Sequence, residues 1–136
     1  MTDASLKLQA AMVAALKADA ALAAILAGTG IYDLAPPSAS FPYITIGRCE
    51  VADWSTGTEE GGEHLVSLHI WSQGAGKAES LRVMREASRA LEGIDPVLDG
   101  HFIVSFRLEY SEAGYDEDAR LHHGLLRYRA LVEKTG

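Results

Sequence analysis

The chain has 136 residues, 48% of them apolar and 23% charged, and its 12 Lys and Arg against 19 Asp and Glu give a net charge of −7. That length suits one domain with its own core and is too short for two. No apolar run approaches the roughly 20 residues of a membrane span, and the acidic balance argues against wrapping nucleic acid, because phosphate neutralisation takes surplus cation. Cys49 is the only cysteine, so an intrachain disulfide and a cysteine zinc site are excluded, as suits a soluble protein made in a reducing cytoplasm. Asp3 stands where a secretory signal would carry Lys or Arg, and Lys7, Gln9 and Lys17 interrupt the apolar stretch that follows.

Over residues 5–18, Leu6, Met12, Val13 and Leu16 recur at helical spacing among alanines, which predicts an amphipathic helix. Asp19 is placed to cap a second short helix reaching about Ala27, with Leu22, Ile25 and Leu26 inward and Gly28 and Gly30 ending it. Ile31, Tyr32 and Asp33 suit a short extended piece, after which Pro36, Pro37, Ser38, Ser40 and Pro42 predict a surface loop. Residues 43–51 alternate through Ile44 and Ile46 as a strand does, and Val66, Leu68 and Ile70 alternate with Leu65, Ser67, His69 and Trp71 in a second. The polar, glycine-rich residues 53–62 between them read as a long hairpin tip.

Gly74 and Gly76 break that strand, and Leu81, Met84, Ser88 and Leu91 then mark one face of a helix that Gly93 and Pro96 stop. Phe102, Val104, Phe106, Leu108 and Tyr110 alternate with Ser105, Arg107 and Glu109, the cleanest strand pattern in the chain. Beyond the acidic residues 112–118, Leu126, Tyr128, Ala130 and Val132 define a final strand. Two hairpins joined by a helix, with helices in front, predict an α+β fold: a mostly antiparallel sheet with the N-terminal helices packed on one face. The other face would carry His69, Trp71, Arg107, Arg127 and Arg129 beside Leu65, Leu125 and Leu131, a mixture that suits a subunit interface.

Catalytic, cofactor-binding and metal-binding residues are not found in this pattern. Gly74, Ala75, Gly76 and Lys77 sit between strand and helix as a phosphate loop does, but Trp71 stands where its first Gly belongs and Ala78 where its Ser or Thr belongs. His122 and His123 are adjacent on a strand and point to opposite faces, as do His64 and His69, and His101 stands alone, so no chelating pair is evident. Cys49 lies in a strand with no neighbouring His, and no Gly-x-Ser-x-Gly turn occurs. Carboxylates gather in two loops: Asp53, Glu59, Glu60 and Glu63, then Glu112, Asp116, Glu117 and Asp118. Trp54 and Tyr115 add aromatic rings to these loops, and such rings are enriched in binding hot spots.

Leu16, Asp19 and Leu22, then Ile31, Tyr32 and Asp33, the run from Pro42 through Tyr43, Ile44, Thr45 and Ile46 to Gly47, Ile70 with Trp71, and Leu91 together carry a resemblance. Over most of its length the chain resembles the small tail-completion family of siphophages, prophages and gene-transfer-agent particles, whose members are similar to phage tail terminators. The resemblance implies a structural virion protein without enzymatic activity: a hexameric ring on the head-proximal end of the tail tube, at the head–tail junction. It implies the major tail tube protein and a neck or head-completion protein as partners, with DNA passing through the lumen without specific binding and no membrane contact. The alternatives are another neck component, such as a head-completion or connector-adaptor protein, and, from a different class, a small cytoplasmic enzyme or ligand-binding domain with a site built from distant residues.

Overall fold

The computed structural model describes residues 2–26 and 30–135. Helix α1 spans Thr2–Lys17, and its inward row is Ala4, Leu8, Met12 and Leu16, each four residues from the last and each fully buried or nearly so. Leu6 is 70% exposed, a departure from the predicted face: it lies two residues, about 200°, around the helix from Leu8. Asp19 caps helix α2 (Ala20–Ile25) by accepting from the Leu22 amide at 2.9 Å, and Leu22 is buried. Ala27 and Gly28, assigned from sequence to the end of this helix, lie outside the described residues; Gly30 has φ 58 and passes the chain into the sheet.

The sheet has six strands in the order β1-β2-β3-β6-β5-β4: β1 (Ile31–Tyr32), β2 (Tyr43–Asp53), β3 (Gly61–Ser72), β4 (Val97–Leu98), β5 (His101–Asp116) and β6 (Leu121–Lys134). Only β1 runs parallel to its neighbour; the other pairings are antiparallel. Alternation is strict in the two central strands, where His64, Val66, Leu68 and Ile70 of β3 and Leu126, Tyr128, Ala130 and Val132 of β6 are all buried beneath the helices.

Helix α3 (Ala78–Leu91) lies on this buried face through Ser80, Val83, Met84, Ala87, Ala90 and Leu91. The sequence placed Leu81 and Ser88 on the core face, but Leu81 is 49% exposed. At 100° per residue, a stripe centred on 80, 84, 87 and 91 leaves 81 turned well away and 88 at the rim, where the buried Tyr128 hydroxyl donates to Ser88 Oγ at 3.1 Å. Gly124 lets α3 come down onto β6: a Cβ there would stand 2.6 Å from Met84 Sδ and 3.4 Å from Ile70 Cβ.

Strand β5 overturns the simplest expectation. Its register against β6 shifts between Ile103 and Ser105 and again between Leu108 and Tyr110, and each extra residue changes which face the following side chains occupy. The residues Phe102, Val104, Phe106, Leu108 and Tyr110 therefore do not share a face. Ile103, Phe106 and Leu108 stand level with the buried Val132, Ala130 and Tyr128, whereas Phe102 and Tyr110 stand opposite Glu133 and Arg127 on the open face. Ile103 is the residue of β5 in the core, and Phe102, Val104, Leu108 and Tyr110 are all exposed.

Candidate functional site

The face of the sheet away from the helices brings together all five residues assigned to it. Trp71 stands opposite His123 and His69 opposite Leu125 across β3 and β6, while Arg107 stands opposite Arg129 and Tyr110 opposite Arg127 across β5 and β6. Two clusters result. On one side, Arg129 is bound to Glu63, Arg127 to Glu109 at 3.2 Å, and the Arg127 guanidinium lies 4.9 Å above the Tyr110 ring, a cation–π contact. Glu112 accepts from the Tyr110 hydroxyl at 2.7 Å, and that carboxylate raises the pKa of the phenol.

On the other side, His69 Nδ1 and His123 Nε2 are 2.7 Å apart and the Trp71 ring lies 4.5 Å from His123, while its indole N–H donates to Thr45 Oγ1 at 3.3 Å. One imidazole must donate and the other accept, so the pair is held when at most one is protonated. Burial lowers the pKa of both; the neighbouring His123 lowers His69 further, and Asp116 and Glu112 partly offset the effect at His123. Sequence reasoning missed this pair because it is diagonal across two strands, and only the register of β3 against β6 reveals it. Among the described residues no three His, Cys, Asp or Glu are grouped to hold a metal ion.

The acidic residues are not one patch. The 54–60 tip joins β2 to β3 where β6 ends, and the 117–120 turn joins β5 to β6 where β3 ends, so the two lie at opposite ends of a sheet about 40 Å long, judged from the 12 residues of β3. Trp54, Glu59 and Glu60 are at one end, Glu117 and Asp118 at the other. Several members assigned to loops are strand residues: Asp53 ends β2, Glu63 lies within β3 beside Arg129, and Glu112, Tyr115 and Asp116 belong to β5. Asp53 shapes the tip, accepting from the Ser55 hydroxyl at 2.7 Å and its amide at 3.1 Å, and these bonds hold its carboxyl below the ordinary range. Trp54 and Tyr115 are both exposed, Trp54 against Gly61 and Tyr115 edge-on to His122 at 5.1 Å.

The turn before α3 is not a phosphate cradle. Glu79, held by Ser72 Oγ at 2.6 Å, places a carboxylate in the first turn of the helix, where it would repel a phosphate. Partial burial raises the Cys49 thiol above its ordinary range, the opposite of an activated nucleophile.

The described residues thus combine a half-polar open face with an exposed aromatic ring at each end of the sheet. The sequence profile of the family described as tail completion protein gp17 matches residues 10–133. A chain in a solved structure described as the virion of a native gene transfer agent (GTA) particle is 35% identical, with a TM-score of 0.85, over 95% of this chain and 96% of that one. Among curated proteins none matches. The chain belongs to the tail completion protein gp17 family, a family of structural virion proteins and not of enzymes.

Proposed function

We propose that this tail-completion protein terminates the tail: it caps the head-proximal end of the tail tube as a hexameric ring and forms part of the head–tail junction. The observation that carries this reading is likeness to a virion chain over 95% of the length, which makes the whole chain, and not one motif, the functional unit. The two ends of the sheet serve the two sides of such a ring, one toward the major tail tube protein and the other toward the neck or head-completion protein. Acid at both ends, with a net charge of −7, favours passage of DNA without adsorption.

Electron microscopy of particles from a strain lacking the gene tests this. Overlong tubes with tailless filled heads are the expected outcome; uniform tails with unjoined heads would move the protein to another neck role, and normal infectious particles would overturn a structural function at the junction.

A further inference from the structure

Both edges of the sheet are partly covered, and the uncovered parts match. At one edge β1 pairs only with Ile44 and Thr45 of β2, and among the described residues no strand lies on the outer side of residues 48–53. At the other, β4 pairs only with His101 and Phe102, and the Ile103 amide donates to the Pro96 carbonyl, so that among the described residues no strand lies on the outer side of residues 104–116. Neither open stretch carries Lys or Pro; each carries a bulge and charged side chains, devices that keep a free edge from pairing indiscriminately.

Following the pairing across the sheet shows how these edges correspond. Glu50 stands opposite Leu65, Leu65 opposite Arg129 and Arg129 opposite Arg107, so Glu50 and Arg107 close the two ends of one row. In the same way Cys49 shares a row with Leu108, Val51 with Phe106 and Ala52 with Ser105. The bulge that contains Arg48 in β2 and the one that contains Glu109 in β5 both fall at the level of Arg127. Four levels end in complementary residues: Glu50 with Arg107 and Arg48 with Glu109 by charge, Val51 with Phe106 and Cys49 with Leu108 by apolarity. Within one chain Arg48 lies 3.3 Å from Glu50 and Arg127 holds Glu109, exposed pairs that a neighbouring copy can exchange. Within its own chain Arg107 faces only the like-charged Arg129, which Glu63 already holds, and among the described residues Arg107 has no ion pair.

We propose that the open edge of β2 in one copy pairs with the open edge of β5 in the next, continuing the sheet from subunit to subunit. This rests on the ring reading above. Strands β2 and β5 run in opposite directions within the sheet, so copies related by rotation about an axis along the strands meet with these edges antiparallel. The contact is head-to-tail, the kind that closes into a ring. A groove of about 440 Å³ between β5 and the end of α3, lined by Leu91, Ile94, Phe106 and Leu108, lies beside the seam and receives Val51 and Cys49 of the neighbouring copy.

Cys49, the sole cysteine, makes the seam directly testable. In Leu108→Cys the two cysteines of one chain are three strand spacings apart, about 14 Å, beyond disulfide reach, whereas across the seam they are directly opposite. Intact particles carrying Leu108→Cys, treated with copper phenanthroline, should give a ladder of covalent multimers on a non-reducing gel that collapses on reduction and is absent from Leu108→Cys/Cys49→Ser. Normally tailed Leu108→Cys particles without the ladder would overturn the seam while leaving the termination reading untouched, since that reading stands or falls on the deletion strain. Should Leu108→Cys fail to incorporate, charge exchange decides: Glu50→Arg should cut incorporation about tenfold or more by setting like charges together, and Glu50→Arg/Arg107→Glu should restore it. Failure of the double variant to recover would equally overturn the seam.

Discussion

His64 is the residue whose environment departs furthest from its chemistry. It is fully buried on the helix face of β3, level with Val51 and Ala130; its Nδ1 lies 3.4 Å from Ser5 Oγ and its Nε2 has no partner among the described residues. Burial, with a smaller contribution from His101, lowers its pKa below the ordinary value of 6.5. The unfolded chain therefore takes up a proton near pH 6.5 that the folded chain refuses, so stability is level above that pH, falls as pH drops below it, and levels again once folded His64 is protonated. The slope from this one group is at most about 1.4 kcal/mol per pH unit. His69 and His123 shift in the same direction, so the contribution of His64 is read from a difference: the loss of urea resistance between pH 7.5 and 5.5 should be smaller in His64→Leu than in the parent. Equal losses would show that His64 is not the sensitive group.

Among the elements, α3 comes close to the sheet at one point. Its buried row presses Met84 onto Gly124, where the sheet offers no side chain, and this close approach sets the depth at which the helix lies over β3 and β6. Gly124→Val should therefore lower stability by about 1–3 kcal/mol through overpacking, measured by urea denaturation. The smaller cost that an open strand position gives would indicate that Met84 swings aside. The helix period was visible in sequence and Met84 and Leu91 face inward as expected, but the core face is rotated toward Ser80 and Ala87, which are small enough to be core residues, while Leu81, like Leu6 of α1, is a large residue left outside. Hydrophobicity alone ranks these the other way; the fit of small residues against the sheet decides.

For the whole molecule, the separation of the two hairpin tips is the fact that matters most. Trp54 and Tyr115 cannot share one contact, since they lie at opposite ends of the sheet. On the ring proposed above, with its strands along the axis, one is expected to meet the tube and the other the neck. Trp54→Ala and Tyr115→Ala should then give different particles by electron microscopy, one with tubes that are not terminated and one with terminated tails that lack heads, each junction weakened by about 1 kcal/mol or more if the ring is a hot spot. The same phenotype from both variants would contradict a two-sided ring.

Much was legible before any coordinates. The helices, the strands of both hairpins, the Asp19 cap and the α+β class follow from apolar period and capping chemistry, which act over a few residues and leave their mark in the order of the chain. The resemblance to tail-completion proteins was likewise carried by residues spread along the whole length, and His69, Trp71, Arg107, Arg127 and Arg129 were rightly grouped on one face, since the outward parity of β3 and β6 is unbroken and Arg107 falls between the two bulges of β5. What only the tertiary structure decided depends on register between strands distant in sequence. One bulged residue reverses the face of all that follow it, so the split of the β5 apolar residues, the His69–His123 pair, the opposite ends of the two acidic tips and the matching rows at the two open edges exist only once β2, β3, β6 and β5 are laid side by side.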